Sequence, residues 1–254
     1  MLYTDNDALI IDAGVGLRTL KKYCRDFGVS LSHVHYLLVT HDHADHIKCV
    51  GSISHELNLP VYATEKVHQG IDLNYCVTRK ISADYRCYLS AGHEIQLGEF
   101  RVTPFTVPHD SSDNVGYMIE ACGVSFCIMT DAGHVTDEMA SFIARSNYLV
   151  IEANHDREML MHGPYPEHLK RRITCGTGHL NNNECGEAIV RNMTDQLRFV
   201  WLCHLSEENN HPVLARKTVE SVLRSYGVVP GKDIGIEVLK RTKPTGVFEL
   251  RDVK

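Results

Sequence analysis

The run His41-Asp42-His43-Ala44-Asp45-His46 constrains this chain more than any other stretch. It follows Tyr36-Leu37-Leu38-Val39-Thr40, which reads as a buried strand. Residues two apart on extended backbone project to the same side, so His41 and His43 can serve one metal ion. Asp45 and His46 fall where the chain turns into a helix and can offer a second pair to a neighbouring ion. A polar turn with surface histidines is the competing reading, and it leaves four ligand-type residues in six unexplained.

One segment cannot complete two coordination spheres, so more ligands must come from distant strand ends. His109 follows Phe105-Thr106-Val107-Pro108, Asp131 follows Phe126-Cys127-Ile128-Met129-Thr130, and His204 follows Val200-Trp201-Leu202-Cys203. Each stands one or two residues beyond an apolar strand, where a rigid sheet presents side chains at its rim. The predicted metal set is therefore His41, His43, Asp45, His46, His109, Asp131 and His204.

The rest of the chain reads as short apolar runs alternating with amphipathic segments. Strands are predicted at 8–11, 36–40, 61–63, 100–107, 148–152, 199–203 and 234–238. A hairpin joins 115–121 to 124–129 through Cys122-Gly123. Helices are predicted over 17–27, 46–57, 136–145 (capped by Thr136), 183–192 and 212–226. Residues 154–182 read as polar loop. Strands that alternate with helices and also form hairpins predict an α/β fold, an αββα sandwich of two mixed sheets flanked by helices. The 254 residues show no linker, repeat or low-complexity stretch, so a single domain over 1–254 is expected.

A formal charge of −6 gives no global attraction for nucleic acid or an anionic membrane. Local cation clusters remain at Lys21-Lys22, Arg79-Lys80 and Lys170-Arg171-Arg172, each readable as a solvated face. The nine cysteines form no CxxC pair and their odd number closes no disulfide framework. With no signal peptide and no long apolar run, a cytoplasmic chain without membrane contact is expected, its cysteines mostly small buried hydrophobes.

The order HxHxDH, then His, Asp and His at strand ends, resembles the metallo-β-lactamase superfamily over nearly the whole length. Within it the chain is most similar to the YycJ/WalJ group. That likeness is carried by residues 38–48, Val107-Pro108-His109-Asp110, Thr130-Asp131-Ala132-Gly133-His134, Glu152-Ala153-Asn154-His155-Asp156, Met159-Leu160, Tyr165-Pro166 and residues 203–210. The resemblance implies a metallo-β-lactamase-like fold, a two-metal centre and 5′→3′ DNA exonuclease activity linked to DNA repair. It also implies that His41, His43 and His109 hold the first metal and Asp45, His46 and His204 the second, with Asp131 bridging. Lactam-cleaving relatives usually carry cysteine at that bridging position. Two departures stand out. The group normally begins with a further strand and a Gly-Ser-Ser-Gly-Asn turn, whereas this sequence starts Met1-Leu2-Tyr3-Thr4, so the resemblance implies either a truncated start with a missing N-terminal strand or loss of that turn. Gly178-His179-Leu180-Asn181-Asn182 stands where relatives have Gly-His-Leu-Ser-Asn.

The expected cofactors are two divalent ions, zinc as found and manganese as the more active, with iron also compatible with the donors. The catalytic candidates are Asp45, His179 and His155, the two histidines as general acid or phosphate clamp. Asp42 and His134 are candidates for orienting an imidazole. DNA is the expected partner, with repair proteins as further ones and the oligomeric state open. The polar stretch 154–182, with Lys170-Arg171-Arg172, could line a strand channel. The alternatives are a small-molecule ester, thioester or lactone hydrolase on the same scaffold, and a redox di-iron protein. The latter's relatives prefer glutamate where His43 stands.

Overall fold

A computed structural model describes residues 1–252. The chain forms two compact units: Met1–Pro104 with Ser111–Val115, and Phe105–Asp110 with Gly116 onward.

The first unit contains β1 (Leu2–Tyr3), β2 (Ala8–Ile11), α1 (Leu17–Asp26), β3 (Val34–Leu38), α2 (Ala44–Ile47), α3 (Val50–Leu57), β4 (Val61–Thr64), α4 (Glu65–Leu73), β5 (Arg86–Leu89), β6 (Ile95–Leu97) and the start of β7 (Phe100–Thr106). Its sheet runs β1-β2-β3-β4-β5, antiparallel at β1–β2 and parallel thereafter. A core of Leu37, Val39, Ile47, Val50, Ile53, Val61, Val67 and Ile71 joins the sheet to its helices.

The helix predicted over 46–57 is broken, and the cause is local. Ala13, just past β2, takes the His46 carbonyl with its N–H and gives its own carbonyl to Cys49 N–H, at 2.6 and 3.0 Å. The two bonds insert a strand-end loop into the helical ladder. Gly14 makes the approach possible, because a Cβ there would lie 1.5 Å from the Asp45 carbonyl oxygen.

The second unit contains β8 (Val115–Ala121, beginning at the boundary), β9 (Val124–Met129), α5 (Asp137–Arg145), β10 (Tyr148–Glu152), α6 (Arg157–His162), α7 (Glu167–Thr174), α8 (Asn182–Asn192), β11 (Phe199–Cys203), α9 (Pro212–Ser225) and β12 (Gly235–Val238). The order β12-β11-β10-β9-β8-β7-β6 is parallel from β12 to β9 and antiparallel at β9–β8 and β7–β6. β10 is buried at every position, which is what a central parallel strand demands. Cys122 and Gly123 both have positive φ, 50° and 75°, as a two-residue hairpin turn requires. Thr136 caps α5 by accepting from Met139 N–H, and Asn181 with Glu184 forms a capping box on α8.

Both sheets are mixed and carry helices, as the sequence predicts. The stretch 154–182 is not plain loop: it holds α6 and α7. Of the nine cysteines, Cys24, Cys127, Cys185 and Cys203 are buried, while Cys122 and Cys175 are exposed, so fewer are core residues than expected. Burial pushes the Cys127 thiol up to about 12 and raises Cys185 and Cys203 as well. At pH 8 these thiols stay protonated, and the thiolate is the nucleophile. Iodoacetamide followed by mass spectrometry should label Cys122 and Cys175 in the folded protein, and Cys127, Cys185 and Cys203 only after denaturation. Early labelling of Cys127 would contradict this packing.

Candidate metal centre

In the first unit β3 delivers the chain through Val39 and Thr40 to His41, which is fully buried. Asp12, immediately past β2, organises this corner of the unit. Its carboxylate accepts from the Thr40 N–H at 2.8 Å, the Thr40 hydroxyl at 2.9 Å and His46 Nδ1 at 2.8 Å. Because the Thr40 hydroxyl gives its proton to Asp12, it accepts from His41 Nδ1 at 2.9 Å. His41 and His46 thus have Nδ1 committed, which leaves Nε2 to coordinate. The His41 ring centroid lies 4.9 Å from that of His43 and 4.1 Å from that of His46. His46 Nε2 is 3.6 Å from an Asp45 oxygen, so this unit gathers all four candidate ligands of the motif.

Asp42 does not orient an imidazole. Its carboxylate takes the Ser112 N–H and hydroxyl, tying down the 111–115 segment of the same unit.

In the second unit the centre is built around Glu152, the last residue of β10, which is 0% exposed. One oxygen accepts from His204 Nδ1 at 2.7 Å and His179 Nδ1 at 2.8 Å. The other accepts from the backbone of Ala132 and Leu180 at 2.9 and 3.2 Å. Burial pushes this carboxyl up, but the two imidazoles outweigh it and hold it below its ordinary range. Burial likewise works against protonating His179, and the Glu152 carboxylate more than offsets it, leaving that ring above its usual value.

His109 commits Nδ1 to the Gly178 carbonyl at 3.1 Å, and its Nε2 lies 3.7 Å from Asp131 Oδ1. The same Asp131 oxygen is 3.2 Å from His204 Nδ1 and 3.9 Å from His179 Nδ1. Asp131, Glu152, His179 and His204 offer ligand atoms all within 4.8 Å of one another. Asp131 and His204 sit in the left-handed region at φ 55° and 54°, as Asp12 does at 61°. That conformation is costly for a non-glycine residue and persists where the site needs the side chain so aimed.

His155 lies within electrostatic reach of Glu152 and His179 but belongs to none of the candidate ligand groups. It is buried, its Nδ1 has no hydrogen-bond partner among the described residues, and burial pushes it down to about 4, a neutral ring at physiological pH. His134 is a surface residue whose Nδ1 donates to the Gly176 carbonyl. The cations at 170–172 are mostly committed: Lys170 is buried with Nζ on the Met161 carbonyl at 2.7 Å, and Arg172 pairs with Asp110. Arg171 alone of the three is exposed without an ion pair among the described residues.

Asp12 and Glu152 were not singled out from the sequence. Both end apolar strands, the rule that found His109, Asp131 and His204. Asp12-Ala13-Gly14 also repeats as Asp131-Ala132-Gly133, each with a left-handed aspartate, a buried alanine and a glycine whose Cβ would strike a carbonyl.

A sheet-borne set of histidines and buried carboxylates, with ring nitrogens pre-assigned, defines a metal-dependent hydrolase. The family model described as "Beta-lactamase superfamily domain" matches residues 8–205. The chain is 34% identical to exodeoxyribonuclease YycJ of Bacillus anthracis over 249 residues, 97% of this chain and 93% of that protein. It is 31% identical to exodeoxyribonuclease WalJ of Streptococcus pneumoniae serotype 2 over 235 residues, 92% and 87% respectively. The metallo-β-lactamase fold protein YhfI of Bacillus subtilis superposes with a TM-score of 0.68 at 18% identity, covering 94% of this chain and 86% of that one. The chain belongs to the β-lactamase superfamily, in its YycJ/WalJ group, and is a hydrolase of the metallo-β-lactamase fold. That fold implies divalent metal ions. No helix among the described residues is long and apolar enough to cross a membrane.

Proposed function

We propose that the chain is a two-metal 5′→3′ DNA exonuclease acting in DNA repair in the cytoplasm. In this reading His41, His43 and His109 hold one divalent ion and Asp45, His46 and His204 the other, with Asp131 between them. The observation that carries it is the commitment of Nδ1 on His41, His46, His109 and His204 to fixed neighbours, which leaves Nε2 as the coordinating atom on each. Zinc is the ion as found and manganese the more active, with iron compatible. The names of the YycJ and WalJ relatives support DNA as the substrate.

Two such ions would polarise the phosphoryl oxygens and bring a water towards neutral pKa. The chain's own residues do the rest. Asp12 and Glu152 hold the imidazoles in one orientation, so little reorganisation accompanies the reaction. His179 has Nδ1 on Glu152, and its other nitrogen can hold a proton for the departing 3′-oxygen. His155, neutral and buried, can donate a hydrogen bond to a phosphate without adding charge. Asp45, the most exposed ligand, can also position the attacking water.

His179→Ala is expected to lower turnover by about a hundredfold, as for loss of a general acid, with metal content intact. Unchanged turnover would remove His179 from the mechanism. The function itself is tested by incubating purified protein and Mn²⁺ with 5′-phosphorylated single- and double-stranded DNA. A chelator-sensitive ladder advancing from the 5′ end is expected. Its absence from a metal-loaded protein would overturn the nuclease reading in favour of a small-molecule ester hydrolase.

A further inference from the structure

The turn that closes α4 is tied to the metal-binding motif and presents two bare apolar side chains. Asn74 Nδ2 donates to the backbone carbonyl of Asp42, between His41 and His43, at 3.0 Å. Asn74 Oδ1 accepts from Cys76 N–H at 2.9 Å. Lys80 Nζ clamps the turn from below, donating to the carbonyls of Asn74 at 2.7 Å and Ile71 at 3.0 Å. One helical turn earlier, a Cβ on Gly70 would lie 1.9 Å from the Asp42 carboxylate, so α4 is pressed directly against the motif. Val77, just beyond, is anchored in the core.

On this fixed turn Leu73 is 86% exposed and Tyr75 91% exposed. The Tyr75 ring makes no stacking contact or hydrogen bond among the described residues, although several side chains around it are committed. A mobile loop tip could hold a wet tyrosine for no reason. A turn fastened at both ends has already lost the freedom that a binding partner would otherwise have to remove. Lys48, which closes the short helix carrying Asp45 and His46, is exposed and without an ion pair among the described residues. A bare aromatic ring, an apolar neighbour and an unpaired cation at the motif match one ligand chemistry: a base, a sugar and a phosphate. Stacking on an aromatic ring tolerates every base, as an exonuclease needs.

We propose that Tyr75 is a stacking platform for one nucleobase of the DNA strand being cut, with Leu73 against its sugar and Lys48 near a phosphate. The inference rests on the nuclease reading and adds a substrate-positioning residue outside the metal set. Stacking holds the strand without touching the reacting atoms, so it affects KM rather than kcat.

The test compares wild type, Tyr75→Ala and Tyr75→Trp, all Mn²⁺-loaded, on single-stranded DNA. Tyr75→Ala is expected to raise KM by about tenfold with kcat within twofold, and Tyr75→Trp to keep the wild-type KM. A single abasic nucleotide is then moved through the strand. At one position it should raise the wild-type KM by the same factor and cost Tyr75→Ala nothing more. Equal KM for wild type and Tyr75→Ala on intact DNA overturns the platform while the nuclease reading stands. No cleavage by loaded wild type overturns both. A mass increase with concentration that Tyr75→Ala abolishes, with KM unchanged, would assign the surface to a second copy and also overturn the platform.

Discussion

Replacing Glu152 by alanine is expected to cost both metal affinity and stability, by more than any other single change. The carboxylate takes four hydrogen bonds, from His179, His204, Ala132 and Leu180, in a fully buried position. Alanine takes the acceptor from all four donors and leaves the backbone N–H groups of Ala132 and Leu180 facing the space the carboxylate filled. Breaking a buried ionic pair from one side costs about 3–5 kcal/mol. For a chain of this size that corresponds to a fall of roughly 10 °C in Tm. His204 also loses the acceptor that sets its tautomer, for which a 10–100-fold loss of metal affinity is typical. Glu152→Gln is a sharper variant, since it keeps the volume but turns one acceptor into an NH2 that faces N–H donors. Calorimetric Tm and metal titration check both. A Glu152→Gln protein with wild-type Tm and wild-type metal affinity would show that the carboxylate does not organise these rings.

Asp131→Gly should separate stability from activity. Asp131 holds φ at 55°, a conformation that costs an L residue about 1–2 kcal/mol and glycine almost nothing. The substitution also removes one of two carboxylates packed among His109, His179 and His204. It gives up a Thr130 hydroxyl bond of 2.7 Å. The relief of backbone strain offsets part of the lost contacts to His204 and Thr130, so the metal-free variant should melt closer to the wild-type temperature than Glu152→Ala does. Turnover, in contrast, should fall by about a thousandfold or more, because the proposed two-metal centre would lose the carboxylate shared by its ions and several kcal/mol of charge stabilisation. Asp131→Asn, which keeps the strain and loses the charge, should lose activity and melt below Asp131→Gly. A kcat within tenfold of wild type in Asp131→Gly would remove Asp131 from the chemistry.

The sequence made the strand ends visible and the helices less so. Buried parallel strands such as 148–152 and 199–203 are continuous apolar runs, and β10 and β11 occupy those residues. The helix at 46–57 could not be divided from its own residues, since Ala13, more than thirty positions away, breaks it. α4 was missed because Gly70 weakens the local helical signal, and the glycine is there to clear Asp42. α6 and α7 are short, six and eight residues, with helix breakers at Gly163, Pro164 and Pro166 between them, so their pattern reads as loop. The candidate ligands His41, His109, Asp131 and His204 stand out in the sequence because each comes just after an apolar run. The residues that aim them were not, since Asp12 and Glu152 matter only through partners brought in by the fold. The Lys170-Arg171-Arg172 cluster shows the reverse error, a charge run that looks available and is largely committed to Met161 and Asp110.

The most direct test of a two-metal hydrolase is the number of divalent ions bound per folded chain. Protein purified without chelator, then dialysed against Zn²⁺ or Mn²⁺ and analysed by plasma mass spectrometry, should hold two ions per chain, and Asp131→Gly should hold fewer. A wild-type protein that retains one ion or none at saturation, while remaining folded and active on DNA, would contradict the dinuclear reading.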